Sequence, residues 1–127
     1  GTLFIRRASG ENEDILLLPC CEEAAGLLLE EARSIYGGAH FGVICTGDVF
    51  VADAEKNQFL QEKFEAHAVE MEGGAIAQVC YMNSVPCAVL RAISDCANDD
   101  SPMDFPTFTK MAAEKTGKLL GAVLPRL

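Results

Sequence analysis

Short apolar runs alternate with amphipathic stretches along the whole chain. Residues 3–6, 14–18 and 41–45 are short, mostly apolar and bounded by turn-forming residues, which favours β-strands. Residues 67–71 and 86–93 have the same character. The run at 41–45 is almost wholly apolar, which is typical of a strand buried on both faces. The run at 86–93 gives the most convincing prediction of a buried strand.

Helical periodicity fills most of the intervals between these strands. Four helices are predicted, at residues 20–36, 54–65, 73–82 and about 107–124. The first should end at Gly37-Gly38, because glycine readily adopts the left-handed conformation that closes a helix. The side chains expected to face inward are Ala24, Leu28, Ala32, Ile35, Phe59, Leu60, Phe64, Phe108, Met111, Ala112, Leu119 and Val123.

This alternation of strands and helices predicts an α/β fold with parallel pairing and right-handed crossovers. A chain of 127 residues is long enough for one domain with its own core. Ligand sites in open α/β sheets lie beyond the carboxyl ends of the strands. Polar residues follow three of the predicted strands, at 46–48, 70–72 and 94–95. We expect these three strand ends to meet at one rim of the sheet.

The charge balance narrows the possible partners. Acidic residues outnumber basic ones by 19 to 10, which gives a formal net charge of −9. Such a surface repels phosphate backbones, so we expect neither nucleic acid nor an anionic membrane as a partner. Residues 1–10 lack the apolar core of a secretory signal, and no apolar run could span a bilayer. We therefore expect a cytoplasmic protein.

The cysteines and histidines do not suggest a metal centre. None of the six cysteines belongs to a C-x-x-C pair, and most lie within apolar stretches. We interpret them as small apolar residues in a reducing compartment rather than as disulfide or zinc ligands. His40 and His67 are isolated from any ligand-like spacing. No metal and no organic cofactor is implied.

Two carboxylates at the predicted rim are candidates for chemistry. Asp95 follows the buried strand predicted at 86–93, and by position alone it is most simply a turn cap. Glu72 stands at the predicted start of a helix, where the helix dipole and the free N–H groups stabilise a carboxylate. From position alone, each is more readily explained by structure than by catalysis.

Glu70 and Arg91 form a second candidate pair. Both lie within apolar strands, where a charge is costly unless it is paired. We therefore predict that Arg91 pairs with Glu70 or with another carboxylate of the rim. The alternative is that Arg91 lies on an edge strand and simply faces water.

Three apolar residues near the rim could line a pocket. Phe50, beside Val51, lies just beyond the predicted strand 41–45 and could form the floor of a purine site, although a core role is the commoner one. Phe105 could likewise line a purine site or belong to the core. The thioether of Met71 would suit the apolar face of a sugar, but it could equally be core.

Two segments resemble a known enzyme family. The run from Val69 to Asp99, VEMEGGAIAQVCYMNSVPCAVLRAISDCAND, resembles the signature of the 5'-methylthioadenosine/S-adenosylhomocysteine nucleosidases, which belong to the purine nucleoside phosphorylase superfamily. The run from Gly42 to Val51, GVICTGDVFV, resembles that family's strand and turn. The resemblance implies part of a three-layer α/β/α phosphorylase-like fold with a mixed, largely parallel sheet. It also implies hydrolysis of the bond between adenine and ribose.

The resemblance assigns a role to each matching residue. Asp95 matches the general acid that protonates N7 of adenine, and Ser94 matches the serine that holds its carboxyl group. Glu72 matches the glutamate that binds the ribose hydroxyls. The remaining predicted substrate contacts, implied by matching position or proximity to the rim, are Phe50, Val51, Glu70, Met71 and Phe105.

The resemblance covers only the C-terminal portion of the family's fold. It implies that residues 1–127 are a single C-terminal portion, and that the water-activating glutamate belongs to an N-terminal half. We expect this chain to need that half or to associate with itself, and the full-length protein to be a homodimer. Two alternatives remain: a purine nucleoside phosphorylase that uses phosphate in place of water, and a non-catalytic nucleoside-binding remnant.

Overall fold

A computed structural model describes residues 2–6, 15–93 and 104–127 of the chain. Within them, four strands form one sheet in the order β2-β1-β3-β4. The strands are β1 (Thr2–Arg6), β2 (Ile15–Pro19), β3 (Val43–Thr46) and β4 (Ala66–Glu70). The helices are α1 (Glu22–Tyr36), α2 (Ala54–Phe64), α3 (Gly73–Met82) and α4 (Phe105–Val123), and a short 3₁₀ helix (Leu124–Arg126) follows α4.

The sheet is mixed and largely parallel. β1 pairs with β2 in antiparallel orientation, whereas β1 with β3 and β3 with β4 are parallel. Each parallel pair is joined by a crossover that contains a helix, as parallel strands require. The predicted α/β class is therefore confirmed, and the predicted strands and helices other than 86–93 appear with ends shifted by no more than two residues.

An irregularity in the β3–β4 ladder places the side chain of His67 against β3. Val43 pairs with Ala66 and Ile44 with Ala68, so His67 is an extra residue on β4. Its Nδ1 accepts a hydrogen bond from the Val43 N–H at 3.2 Å. The ring occupies the space beside Gly42, where an added Cβ would lie 2.4 Å from the His67 Cγ. His67 thus has a structural role, and Gly42 is required by its ring.

The buried side chains form two small clusters. Ala77 of α3 packs on Leu18 of β2, with Ile44 beside them. A second cluster joins α1 to α4 through Ala32, Leu119 and Val123, and the last of these is only 1% exposed. Small residues along α3 allow the helix to approach the sheet closely.

Two of the predicted inward positions are wrong. Ile35 is 41% exposed because the contact between α1 and α4 is centred one turn earlier, on Ala32. Phe59 is 46% exposed, since α2 meets only the edge formed by β3 and β4 and buries none of its residues fully. Its ring instead packs edge-to-face against Phe64 on the same helix.

The strand predicted at 86–93 is also wrong. The residues of this segment join no ladder, and the Cys87 carbonyl accepts a hydrogen bond from the Cys21 N–H at 2.7 Å. Cys87 and Val89 still pack on the cluster at Leu18, but Leu90 is 36% exposed. An apolar run predicts contact with the core, whereas a strand also needs its backbone N–H and C=O groups aligned with those of a neighbouring strand.

The start of α4 is earlier than the predicted residue 107. Asp104 is the N-cap, and its carboxylate accepts from both the backbone N–H and the hydroxyl of Thr107. Pro106 stands in the first turn, where its missing N–H costs nothing. The sequence Asp104–Thr107 therefore contains a helix start signal that hydrophobic periodicity alone does not reveal.

Candidate active site

A cluster of charged and hydroxyl side chains lies at the carboxyl end of β4. At its centre is Glu70, whose side chain is only 7% exposed. Its Oε1 accepts a hydrogen bond from the Thr46 hydroxyl. Its Oε2 accepts from the Gly73 N–H at 2.6 Å and the Glu72 N–H at 3.1 Å, and it also pairs with the Arg91 guanidinium. Both oxygens of this buried carboxylate are therefore satisfied.

Strand register brings these groups together. Thr46 is the last residue of β3, and it stands directly opposite Glu70, the last residue of β4. The pairing continues one residue further, where the Gly47 N–H donates to the Glu70 carbonyl at 3.2 Å. As predicted, polar residues that follow these two parallel strands meet at one rim of the sheet.

Arg91 bridges two carboxylates of the rim. Its Nη2 pairs with Oε2 of Glu70 and with Oε2 of Glu72. Hydrogen bonding to Glu70, joined by that to Glu72, raises the pKa of Arg91 above its usual value despite partial burial. The predicted pairing of Arg91 with Glu70 is confirmed, and the alternative in which Arg91 simply faces water is wrong.

Glu70 is held in its charged form. Burial raises the pKa of its carboxyl group, but hydrogen bonds from Thr46 and Arg91, together with the backbone N–H groups of Gly73 and Glu72, outweigh that effect. The net result is a pKa below the usual value of 4.5. A carboxylate surrounded only by donors is a poor proton donor at neutral pH. This site therefore holds Glu70 as a fixed anion.

Glu72 occupies the N-cap position of α3 but does not cap the helix with its side chain. The capping hydrogen bonds come from Glu70, two residues earlier, which accepts from the first free N–H groups of the helix. The interpretation of Glu72 as a helix cap is therefore wrong. Its side chain is 67% exposed and held on one side by Arg91, which leaves carboxylate oxygen available to a ligand.

The predicted apolar contacts lie at the surface of the described structure. Phe50 is 74% exposed in the irregular segment after β3, and Phe105, the first residue of α4, is 75% exposed. Met71 is 42% exposed between Glu70 and Glu72, and Val51 is half-buried. Their roles as substrate contacts stay predictions, as does that of Glu70.

The structure places three predicted site residues in or beside the cluster, namely Glu70, Met71 and Glu72. The sequence analysis placed Thr46 at the rim but did not include it among the site residues. A hydroxyl residue that ends one parallel strand beside a carboxylate that ends the next was a usable signal. Ser94 and Asp95 lie outside the described residues.

A mainly apolar cavity lies next to Arg91. It has a volume of about 570 Å³ and lies between α1, α4 and the amino-terminal part of β3 and β4. Leu28, Val43 and Phe108 are among the apolar lining residues, and Arg91 also lines the cavity. We assign the candidate site to the rim, because the cavity lacks the paired carboxylates.

Residues 2–6, 15–93 and 104–127 include both histidines and five of the six cysteines. This part of the chain contains no group of three or more His, Cys, Asp or Glu side chains that could hold a metal ion. Its five cysteines are free, with Cys45 buried and the rest half-buried. No helix in it is long and apolar enough to cross a membrane.

Comparison with known proteins identifies the family. The family sequence model described as 'Phosphorylase superfamily' matches residues 6–125, which is almost the whole chain. The chain belongs to the phosphorylase superfamily. The family resemblance seen in the two sequence motifs is thereby confirmed.

Two curated relatives within this superfamily carry different substrate names. Aminodeoxyfutalosine nucleosidase of Helicobacter pylori is 37% identical over 115 residues, which are 91% of this chain and 50% of that protein. The 5'-methylthioadenosine/S-adenosylhomocysteine nucleosidase of Shewanella denitrificans is 44% identical over 87 residues, or 68% of this chain and 38% of that protein. This phosphorylase-superfamily chain therefore spans about half the length of the curated relatives it matches.

Solved structures agree on the fold. The 5'-methylthioadenosine/S-adenosylhomocysteine nucleosidase of Campylobacter jejuni matches with a TM-score of 0.81 and 29% identity, over 99% of this chain and 61% of that one. A Helicobacter pylori mutant enzyme with 5'-methylthioadenosine in its active site matches with a TM-score of 0.82 and 30% identity, over 99% and 58%. The phosphorylase-like fold is thus established.

Proposed function

We propose that this chain supplies the base- and ribose-binding portion of a nucleosidase that hydrolyses the N-glycosidic bond of 5'-methylthioadenosine and S-adenosylhomocysteine. The products are adenine and the 5'-substituted ribose. The observation that carries this proposal is the exposed Glu72 carboxylate, held by Arg91 beside the buried Glu70 at a strand-end rim.

In this proposal Asp95 acts as the general acid. Adenine leaves poorly as an anion, so N7 must receive a proton as the bond from C1' to N9 breaks. An unperturbed aspartic acid has a pKa of about 3.9 and would be ionised at neutral pH. The proposed role therefore requires that burial or neighbouring carboxylates raise the pKa of Asp95 in the assembled site. Ser94, its neighbour in sequence, would orient the carboxyl group.

Glu72 has the complementary role at the ribose. As the bond breaks, the sugar takes on oxocarbenium character, with positive charge at C1' and the ring oxygen. A carboxylate on the ribose hydroxyls stabilises that charge and fixes the sugar. Water then adds to C1' and loses a proton to a base. The resemblance assigns that base to the N-terminal half of the family's fold.

The aromatic and apolar residues complete the proposed pocket. Phe50 and Phe105 expose about three quarters of their surface, so flat faces are available for stacking on adenine. The backbone of Val51 would contact the purine edge, and Met71 would pack against the sugar. Glu70 is included in the proposed site through its contacts with Glu72 and Arg91.

The relatives' names bring a second candidate substrate. Two Helicobacter pylori relatives, 37% and 40% identical, are called aminodeoxyfutalosine nucleosidases. Such a nucleoside would place a different 5'-substituent over the same base and ribose contacts. Because the proposed roles of Glu72 and Asp95 concern only the ribose and the purine, they would be the same for all three nucleosides.

A homodimeric full-length protein and a cytoplasmic location stay predictions of the sequence. Size-exclusion chromatography with light scattering tests the first.

Proteins of this superfamily that use phosphate would release ribose 1-phosphate instead of the free sugar, so the products distinguish the two reactions.

The test is adenine release by the full-length protein from 5'-methylthioadenosine, S-adenosylhomocysteine and aminodeoxyfutalosine, with and without phosphate. We expect release from at least the first two at the same rate in both conditions, with free sugar as the second product. Release that requires phosphate would identify a phosphorylase. Binding of the nucleosides without any release would identify a non-catalytic binding protein.

A further inference from the structure

The buried position of Glu70 distinguishes it from the other carboxylates of the rim. Its side chain is 7% exposed, whereas that of Glu72 is 67% exposed. Oε1 accepts from the Thr46 hydroxyl, and Oε2 accepts from Arg91 and two backbone N–H groups. A carboxylate oxygen with three donors has little capacity left for a ligand. Glu70 is thus poorly placed to bind a substrate directly.

Three of the four groups that donate to Glu70 belong to structures that set the position of Glu72. One donor is the backbone N–H of Glu72 itself, and another is the N–H of Gly73, the first residue of α3. A third is Arg91, whose guanidinium also holds the Glu72 carboxylate. Glu70 therefore fixes Glu72 twice, at its backbone through the helix start and at its side chain through Arg91.

We propose that Glu70 and Thr46 are positioning residues that hold Glu72 and Arg91 in the geometry needed to recognise the ribose hydroxyls. Thr46 ends β3 and anchors Oε1, so that Oε2 is turned towards Arg91 and α3. This inference rests on the proposed nucleosidase function. It replaces a direct substrate contact by Glu70 with an indirect role exerted through Glu72.

Glu70→Gln is a sharp test because it removes the charge of the carboxylate at nearly constant side-chain volume. The amide NH₂ can donate to the Thr46 hydroxyl oxygen, which leaves the amide oxygen to accept from Arg91 and the backbone N–H groups as a neutral and therefore weaker acceptor. The charge that balances Arg91 is also lost, so the guanidinium is free to shift wholly onto Glu72. Thr46→Val removes the anchoring hydroxyl without changing the side-chain volume much, and Thr46→Ser keeps it as the matched control.

The informative readout is ribose selectivity in the full-length protein. The ratio of kcat/KM for 5'-methylthioadenosine to that for its 2'-deoxy analogue measures recognition of the 2'-hydroxyl. We expect this ratio to fall by about tenfold in Glu70→Gln and by about threefold in Thr46→Val, with Thr46→Ser near wild type. A merely structural defect lowers both rates together and leaves the ratio unchanged, and that result would overturn the inference.

A second readout needs no substrate. The amide protons of Glu72 and Gly73 donate to Glu70, so Glu70→Gln should accelerate their hydrogen exchange by about tenfold or more, while amides in α1 keep their rates. Unchanged exchange at both positions would contradict the positioning role even if catalysis were altered.

The two experiments separate this inference from the proposed function. If the unsubstituted protein hydrolyses neither nucleoside while exchange responds as expected, the proposed function fails and the structural network stands. If the protein is active, loses activity in Asp95→Asn, and keeps its ribose selectivity in Glu70→Gln and Thr46→Val, the positioning role alone fails.

Discussion

The carboxylate of Glu70 lies directly against the backbone of Gly73. A Cβ added at Gly73 would stand 3.0 Å from Oε2 and 3.1 Å from Oε1 of Glu70. Such contacts are tighter than ordinary van der Waals separations, so one of the two groups would have to move. Glu70 is held by Thr46 and Arg91 and has little freedom to yield. The glycine that begins α3 is therefore part of the carboxylate's binding environment.

Gly73→Ala is expected to destabilise the protein by about 1–2 kcal/mol, because the new methyl group pushes on a fixed carboxylate. The matched control is Gly26→Ala in α1, where an added Cβ meets nothing within 4 Å. Alanine should stabilise that exposed helical position by about 0.5–1 kcal/mol. Urea denaturation of both variants measures the difference. Equal effects of the same sign would show that Gly73 has no special role.

Gly42→Ala should cause a larger loss of stability than Gly73→Ala. Its Cβ would lie 2.4 Å from Cγ of His67, and the overlap must displace the ring and break its hydrogen bond with the Val43 N–H. We expect a cost of about 2–3 kcal/mol. The double variant Gly42→Ala/His67→Ala removes the obstructing ring and should recover about half of that loss. Failure of the second substitution to recover any stability would contradict this explanation.

Removing Arg91 should expose the cost of an unpaired buried carboxylate. Arg91→Met is expected to lower the free energy of unfolding by about 2 kcal/mol, because Glu70 keeps its charge and loses its counter-ion. Adding Glu70→Gln removes that charge, so the double variant should be more stable than the sum of the single effects predicts. A double-mutant cycle by urea denaturation should give a coupling of about 1 kcal/mol or more. Strict additivity would contradict the pairing.

The low pKa of Glu70 predicts a specific pH dependence of stability. Burial raises this pKa, but the hydrogen bonds from Thr46, Arg91 and the start of α3 bring it below 4.5. The folded state therefore binds this proton less tightly than the unfolded state. The resulting stabilisation is complete above about pH 4.5 and is lost as the pH falls through the lower folded-state pKa.

Unfolding midpoints measured between pH 7 and pH 3 test this expectation. The stability difference between the unsubstituted protein and Glu70→Gln should be constant near neutrality and shrink below about pH 4.5. Glu62→Gln, at an exposed position of α2, serves as the control. A difference that grows on acidification would mean that the folded state raises the pKa of Glu70.

Much of the fold could be predicted from hydrophobic periodicity. Strand and helix patterns have different periods, so the α/β class and nearly all element positions followed from the sequence. The segment 86–93 was misassigned because an apolar pattern does not report whether the backbone is aligned with a neighbouring strand to form a ladder. Ile35 and Phe59 were misplaced because periodicity gives the direction of a helix face but not the extent of its partner.

The site was predictable where charge and strand position coincided. Arg91 within an apolar run required a counter-ion, and the nearest rim carboxylates were Glu70 and Glu72. The helix cap was assigned to the wrong glutamate, since a cap normally comes from the residue immediately before the helix. Here Glu70, which precedes Glu72 by two residues, accepts hydrogen bonds from the backbone N–H groups of Glu72 and Gly73. That arrangement depends on the turn between β4 and α3, which the sequence pattern does not encode.

Adenine release without phosphate tests the proposed function most directly. The full-length protein is compared with Asp95→Asn, using 5'-methylthioadenosine as substrate. We expect the unsubstituted protein to release adenine, and Asp95→Asn to be slower by about a hundredfold or more, because the amide cannot protonate N7. Binding of the nucleoside should persist in the variant. No release from the unsubstituted protein, or equal release from both, would contradict the proposal.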